Sequence, residues 1–465
     1  MKMMTALALI LVSAPMAHAA GPLANESFIE QIGSRNNTTV SQKGGNNTQA
    51  TVSAGQYNSV LSIQKGGTSA INNSANVQVG NDNTASISQK NGNNNQGTFQ
   101  VGRANGVTTT QVSHLANGAN NSGNLQVGDY NSATTTQTNS APNSQATGVD
   151  YANNSFSAQF GSNSVVAKQT GGQNNQGTLQ VGTGNMSFVT QSDKAITPAS
   201  AAVVGGDNTS FTAQFGDNNM ITTTQKTADA SGQFGGFANG YGNASAASQI
   251  GTDNTATIKQ NASATPGDFS PTPGTFNSSG LLQIGKKNNV SVKQGGSTAG
   301  NFGSTTADQA ANDTNASFVG QIGTKNDAGV NQSNGANTQA TLQAGRGNKA
   351  KIGQTTQALG TGNGANNALT AQFGTQNEAT LAQKMAVPLS LGDNNSAITQ
   401  IGGSNVVNAT QTTGQQAVAG NNTQVALQVG TGNSATVTQA TGANVANTSF
   451  TAQYGMHNVA VVTQK

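Results

Sequence analysis

The sequence predicts an all-β protein: a β-solenoid of about sixteen strand-turn-strand coils forming two facing parallel sheets. Three observations predict it. One eighteen-residue pattern recurs sixteen times along the chain. Its halves alternate with the two-residue period of a strand, and no window sustains helical periodicity.

The pattern is N-x5-Q-x-G-x2-N-x5-Q. It begins at Asn25, Asn47, Asn72, Asn94, Asn120, Asn153, Asn174, Asn208, Asn243, Asn277, Asn315, Asn337, Asn366, Asn394, Asn422 and Asn447, and fourteen of the sixteen repeats match at all five positions. The second has Ser53 in place of Gln, and the sixth is one residue shorter between Gly161 and Asn163. Each repeat contains the run Asn-x5-Gln twice, here termed the leading strand and the trailing strand. Four residues join the two runs, with Gly second. The shortest links between repeats, such as KGGN at 43–46 and KNGN at 90–93, also have four residues, so the closest full-length repeats start 22 residues apart. Each half is therefore expected to be a seven-residue strand and a four-residue turn. Gly33, Gly80, Gly102, Gly128, Gly182, Gly251, Gly374 and Gly455 are the predicted turn glycines, placed where positive φ or a close backbone approach is needed.

In the trailing strands, pairs such as Ala85 and Ile87, Val290 and Val292, and Ala435 and Val437 share the parity of the flanking Asn and Gln. Period-two spacing puts them on one face with the amides, and that face is expected to be inward. The leading strands carry apolar residues on the opposite parity, as at Phe156 and Phe160, Phe211 and Phe215, and Phe450 and Tyr454. Their inward face is left open.

Two strands cannot bury an apolar face alone, so the repeats are expected to stack. At about 4.8 Å per rung, sixteen rungs would make a rod of roughly 75 Å. At that spacing the carboxamide of one rung can donate to the carbonyl of the next, which satisfies polar groups that are costly to bury unpaired. The expected structural ladder includes Asn72, Gln78, Asn83 and Gln89, then Asn94, Gln100, Asn105 and Gln111. Its later members include Asn366, Gln372, Asn377 and Gln383, and finally Asn447, Gln453, Asn458 and Gln464. A slip of one residue would take every amide off its column, which is why the spacing is kept.

Three segments follow in chain order. Residues 1–19 read as a secretory signal peptide, with Lys2, an apolar run and Ala17-His18-Ala19 as the cleavage signal. Residues 20–24 form a short N-terminal segment, and 25–464 the repeat solenoid. The apolar run is too short to span a bilayer and no later segment is long enough, so the expected product is secreted, extracellular and not membrane-spanning. Links at 138–152, 192–207, 226–242, 261–276 and 295–314 are longer, while the turns inside repeats never lengthen. Insertions are therefore expected along one edge. No capping element is recognisable at either end of the repeats, and open terminal strands would template another copy.

Composition excludes much chemistry. The chain has no cysteine, so no disulfide or thiolate site, and only 8% charged residues with a net charge of +3. That thin charge is no nucleic-acid footprint. His114 and His457 are far apart in the repeat order. Glu26 and Glu30 read as a solvated first strand. Asp82, Asp129, Asp217 and Asp253 fall near the turns, but Arg103, Lys286 and Lys287 interrupt the row. No catalytic, cofactor or metal site is expected, and the chain is not expected to be an enzyme. Two alternatives have a sequence basis. Outward Thr pairs such as Thr108/Thr110 and Thr134/Thr136 suggest an ice-binding array, and a capped, non-polymerising solenoid would serve as an adhesin arm.

The segments QVGNDN-x5-Q and QFGTQN-x5-Q resemble the curlin repeat of bacterial curli fibres, Q-x-G-x2-N-x-A-x3-Q. The residues that match are Gln78, Gly80, Asn83, Ala85 and Gln89, and again Gln372, Gly374, Asn377, Ala379 and Gln383. The resemblance covers residues 25 to 464, although every repeat opens with Asn where that family's repeats usually open with Ser. It implies a functional amyloid, a structural subunit that polymerises into a fimbrium-like or pilus-like fibre for cell adhesion and biofilm matrix. Its implied partners are the chain itself in a linear homopolymer, a nucleator subunit and an outer-membrane secretion pore. No cofactor is implied.

Overall fold

The computed structural model describes residues 25–66, 71–113, 119–139, 152–194, 207–228, 242–263, 276–297, 314–333, 336–356, 365–385, 392–413, 420–441 and 445–465. The predicted signal peptide, His114 and most of each long link lie outside the described residues. The chain divides into two compact units, Met1–Asp193 and Lys194–Lys465. The first holds seven repeats and the second nine. Among the described residues there are thirty strands and no helix.

In the first unit, leading strand Asn25–Ser34 pairs in parallel with Asn46–Gln56, which pairs with Ile71–Asn81, and so on through Asn93–Arg103 and Ala119–Val127. Trailing strands Asn37–Lys43, Ser59–Lys65, Thr84–Lys90, Gly106–Ser113 and Ser132–Asn139 pair among themselves in the same way. The sixth and seventh repeats run without a break from leading into trailing run, as Ala152–Thr170 and Asn174–Lys194. In the second unit the same succession joins Asp207–Asp217 to Gly242–Thr252 and ends at Asn447–Met456. Its trailing strands run from Met220–Ala228 to Val459–Gln464. Equivalent residues pair, as in Asn72↔Asn94 and Gln78↔Gln100, so linkers of unequal length leave the register untouched. The missing residue of the sixth repeat appears as a register shift between Ser162 and Ser164.

Most leading strands run ten or eleven residues, longer than the seven expected. Pairing continues through Gln-x-Gly because the glycines stay in the ladder while turning the chain: Gly80 has φ 121° and pairs with Gly102. The turn has a second left-handed position. The residue just before the trailing Asn has φ near +56° at Arg35, Asp82, Ala104, Lys287 and Gln376, and Gly184, Gly347 and Gly432 occupy it in other repeats. A non-glycine residue there costs about 1–2 kcal/mol. Pairing of its backbone N–H with the repeat before offsets this, as in Asp82 to the Gln56 carbonyl at 3.0 Å.

The face left open in the leading strands is now assigned. Ser155 and Ser157 are buried while Phe156 is 53% exposed, so the parity of the amides is inward on both strands and the phenylalanines point outward. Trailing strands line the interior with Ala, Val, Ile and Leu, among them Ile87, Ile258, Val292 and Leu381. Leading strands contribute Ser, Gln and Thr. The second unit adds Leu281, Val319 and Ile398, which join its continuous apolar cluster, whereas the first unit buries Thr51, Asn76 and Thr98 at the equivalent place.

Part of the polar lining is paired within strands. Gln49, Gln96, Gln176 and Gln339 each donate to the threonine two residues on, Thr51, Thr98, Thr178 and Thr341. Gln424 faces Ala426 at that position, and its Nε2 is buried with no partner. Ala426→Thr supplies the missing acceptor and is expected to stabilise the second unit by about 1 kcal/mol, read as a higher midpoint in urea unfolding followed by circular dichroism.

Candidate functional site

Four columns of amides run through each unit, and adjacent repeats are joined at all four except where Ser53 interrupts the leading Gln column. In the leading Asn column, Asn72 Nδ2 donates to Asn47 Oδ1 at 2.8 Å and Asn94 Nδ2 to Asn72 Oδ1 at 2.7 Å. Asn366 donates to Asn337 at 2.9 Å and Asn447 to Asn422 at 3.2 Å. In the trailing Asn column, Asn83 donates to Asn58 and Asn105 to Asn83, both at 3.0 Å, Asn377 to Asn348 at 3.1 Å and Asn458 to Asn433 at 2.9 Å. Every one of these bonds points from a repeat to the one before it.

The glutamine columns point the other way. Gln78 Nε2 donates to Gln100 Oε1 at 2.8 Å and Gln100 to Gln126 at 2.9 Å. Gln372 donates to Gln400 at 2.8 Å, and Gln453 accepts from Gln428 at 2.7 Å. Among the trailing glutamines, Gln89 donates to Gln111 at 2.9 Å, Gln111 to Gln137 at 2.8 Å and Gln383 to Gln411 at 2.8 Å, while Gln464 accepts from Gln439 at 2.7 Å.

Backbone groups lock these directions. Asn58 Oδ1 also accepts the backbone N–H of Asn83 at 3.1 Å, so a flipped amide would set NH2 against N–H. Gln372 Nε2 also donates to the Lys349 carbonyl at 2.8 Å, and Gln89 Nε2 to the Asn73 and Asn94 carbonyls at 2.9 and 3.1 Å. Each trailing glutamine thereby ties its column to leading-strand backbone. Ladder amides inside each unit are fully buried, as at Asn94, Gln100 and Gln372. An unpaired amide there would cost about 1–3 kcal/mol, while each bond made contributes about 0.5–1.5 kcal/mol.

The glycines close the site. Gly33, Gly80, Gly102, Gly128, Gly182, Gly251, Gly374 and Gly455 have φ between 103 and 125°. A Cβ on Gly102 would lie 1.9 Å from the Gly128 carbonyl oxygen, so positive φ and close approach both require glycine. That carbonyl has a further task, accepting Asn105 Nδ2 at 2.8 Å.

The leading Gln column begins at Gln78. Gln31 turns to Thr38 Oγ1 at 3.0 Å, because Ser53 is too short to carry the column across a rung; Ser53 Oγ reaches Gln78 Oε1 at 3.4 Å. Of the remaining polar candidates, Arg103 binds Asp129 through its backbone N–H at 2.8 Å and lies 3.8 Å from Asp82. Glu26 and Glu30 share the outward face of the first leading strand, and His457 sits in a turn with φ 55°. Among the described residues no group of three or more His, Asp or Glu is placed to hold a metal ion, and no helix is long and apolar enough to cross a membrane. Sequence reading missed the Gln-to-Thr pairing. Its signal was present, since four of the five glutamines two residues after a leading Asn have threonine two further on.

No protein-family model matches this chain, and no curated protein matches it either.

Proposed function

We propose that each repeat is one coil of a β-solenoid, sixteen in all, with leading and trailing strands forming two facing parallel sheets, and that the chain is a secreted structural subunit which polymerises end to end. In this reading the polymer is a curli-like amyloid fibre for adhesion and biofilm matrix. Residues 1–19 direct export, a nucleator subunit starts growth, and an outer-membrane pore releases the chain. The ladder amides and turn glycines are its functional residues.

The observation that carries the reading is the polarity of the amide columns. The face of the first repeat offers Asn25 and Asn36 as donors and Gln42 as acceptor. The face of the last offers Asn447 and Asn458 as acceptors and Gln453 and Gln464 as donors. These two faces complement each other head to tail, whereas like faces brought together would oppose donor to donor. The first leading strand and the last trailing strand are also far less buried than their equivalents inside the units, as growing ends must be.

Seeded growth tests this. With wild-type seeds and dye fluorescence as readout, Gln453→Ala/Gln464→Ala is expected to slow elongation about tenfold, the loss of two bonds of under 1 kcal/mol each. The interior pair Gln78→Ala/Asn83→Ala is expected to slow it less. Equal elongation rates for the two variants would contradict a terminal templating face.

A further inference from the structure

The outer face of the leading strands carries no charged side chain between the opening Asn and the glycine in any of the fifteen repeats after the first. Its apolar side chains form exposed columns, in the second unit including Phe211, Ile250, Phe318, Leu369 and Phe373. Charge is placed elsewhere: Lys259, Lys293, Lys349 and Lys351 lie on the outer parity of trailing strands, and Lys286 and Arg346 at turns.

The face is level as well as apolar. A Cβ on Gly280 would lie 3.2 Å from Cδ2 of Phe318, and one on Gly320 would lie 3.3 Å from Cδ1 of Leu342. Bulk in one repeat thus covers a glycine in the repeat beside it. A shallow groove of about 280 Å³, lined by Ala340, Leu369, Ala397 and Val425, crosses the same face.

We propose that this face is an interface between two copies of the chain, packed leading face to leading face with their apolar columns interdigitated. The area suffices. Nine repeats at about 4.8 Å per rung, each with about 25 Å of leading strand, present roughly 1,000 Å², against about 800 Å² per partner in a standard stable interface. The chemistry selects a second copy. Self-pairing brings no like charges together, while a lipid headgroup or a charged polymer finds no counter-charge. Exposed apolar patches of this size on soluble proteins mark association sites, and sheets stacked by their side chains sit about 10 Å apart. The proposal does not depend on end-to-end growth, since a face-to-face pair of single chains and a doubled fibre both satisfy it.

The test is mass per unit length of the purified full chain, as single particles or fibres, by scanning transmission electron microscopy. Two variants accompany it: Phe318→Glu/Leu369→Glu/Phe373→Glu, which sets like charges against each other, and Phe318→Thr/Leu369→Thr/Phe373→Thr, which keeps strand-forming residues and adds no charge. Wild type is expected to show two repeats for every rung step of about 4.8 Å. The glutamate variant is expected to show half that mass with an unchanged circular dichroism spectrum, and the threonine variant to fall to half on tenfold dilution. If the glutamate variant loses its sheet signal, the threonine variant decides the matter. One repeat per rung step in wild type, or a doubled mass that survives in the folded variants, would overturn the proposal. So would an unpaired wild type captured through this face by phosphatidylcholine vesicles or cellulose.

Discussion

Gly345→Ala is expected to lower the unfolding midpoint of the second unit by about 10 °C, a loss of about 3 kcal/mol or more. Two costs add. Gly345 has φ 124°, a conformation strained for any residue with a Cβ, and that Cβ would lie 1.9 Å from the Gly374 carbonyl oxygen and 2.8 Å from its carbon. The obstacle is backbone held in register by the neighbouring repeat, so no side chain can rotate out of the way. Hydrogen exchange should show protection lost first in the repeats that begin at Asn337 and Asn366. Gly97 is the internal control. It lies in the outward parity of a leading strand, with nothing within 4 Å of an added Cβ, and Gly97→Ala is expected to be neutral or to stabilise by about 0.5 kcal/mol. A similar response at both glycines would mean that the turn does not hold the register.

The second large effect is expected at Gln372→Leu. Gln372 accepts Gln343 Nε2 at 2.7 Å and donates to Gln400 Oε1 and to the Lys349 carbonyl, both at 2.8 Å. Leucine fills the space and leaves both acceptors without their donor in a fully buried column. At about 1–3 kcal/mol per unsatisfied group, partly offset by the apolar gain, the net loss is about 3 kcal/mol. Gln464→Leu, at a half-exposed end of its column, is expected to cost under about 1 kcal/mol because water replaces the bond. Urea unfolding followed by circular dichroism distinguishes the two, and equal losses would mean that the columns contribute nothing beyond side-chain volume.

The trailing strands were legible in the sequence because two signals coincide there. Ala256 and Ile258 have the parity of Asn254 and Gln260, and all four are buried. In the leading strands the signals conflict. Phe211 and Phe215 are the most apolar residues of their repeat, yet they lie outside, and Ser210 and Thr212 lie within. Hydrophobicity gives the wrong face, whereas the amides give the right one: Asn208 and Gln214 must be inside because only the stacked column satisfies them. The second left-handed position had no compositional mark, since Arg35, Tyr57, Ala104, Lys325 and His457 share no chemistry. Their conformation is imposed by the paired backbone on either side. The opposed directions of the Asn and Gln columns were equally hidden. An amide is both donor and acceptor, and only the carbonyls and N–H groups around it fix which way it points.

Stacked amide columns, each repeat a mould for the next, are the claim on which the rest depends, and fibre diffraction from the aligned, purified chain tests it most directly. The expected pattern has a meridional reflection near 4.8 Å from rungs stacked along the axis and an equatorial reflection near 10 Å from apposed sheets. A pattern without the 4.8 Å meridional arc, from a chain that stays random coil by circular dichroism, would contradict it.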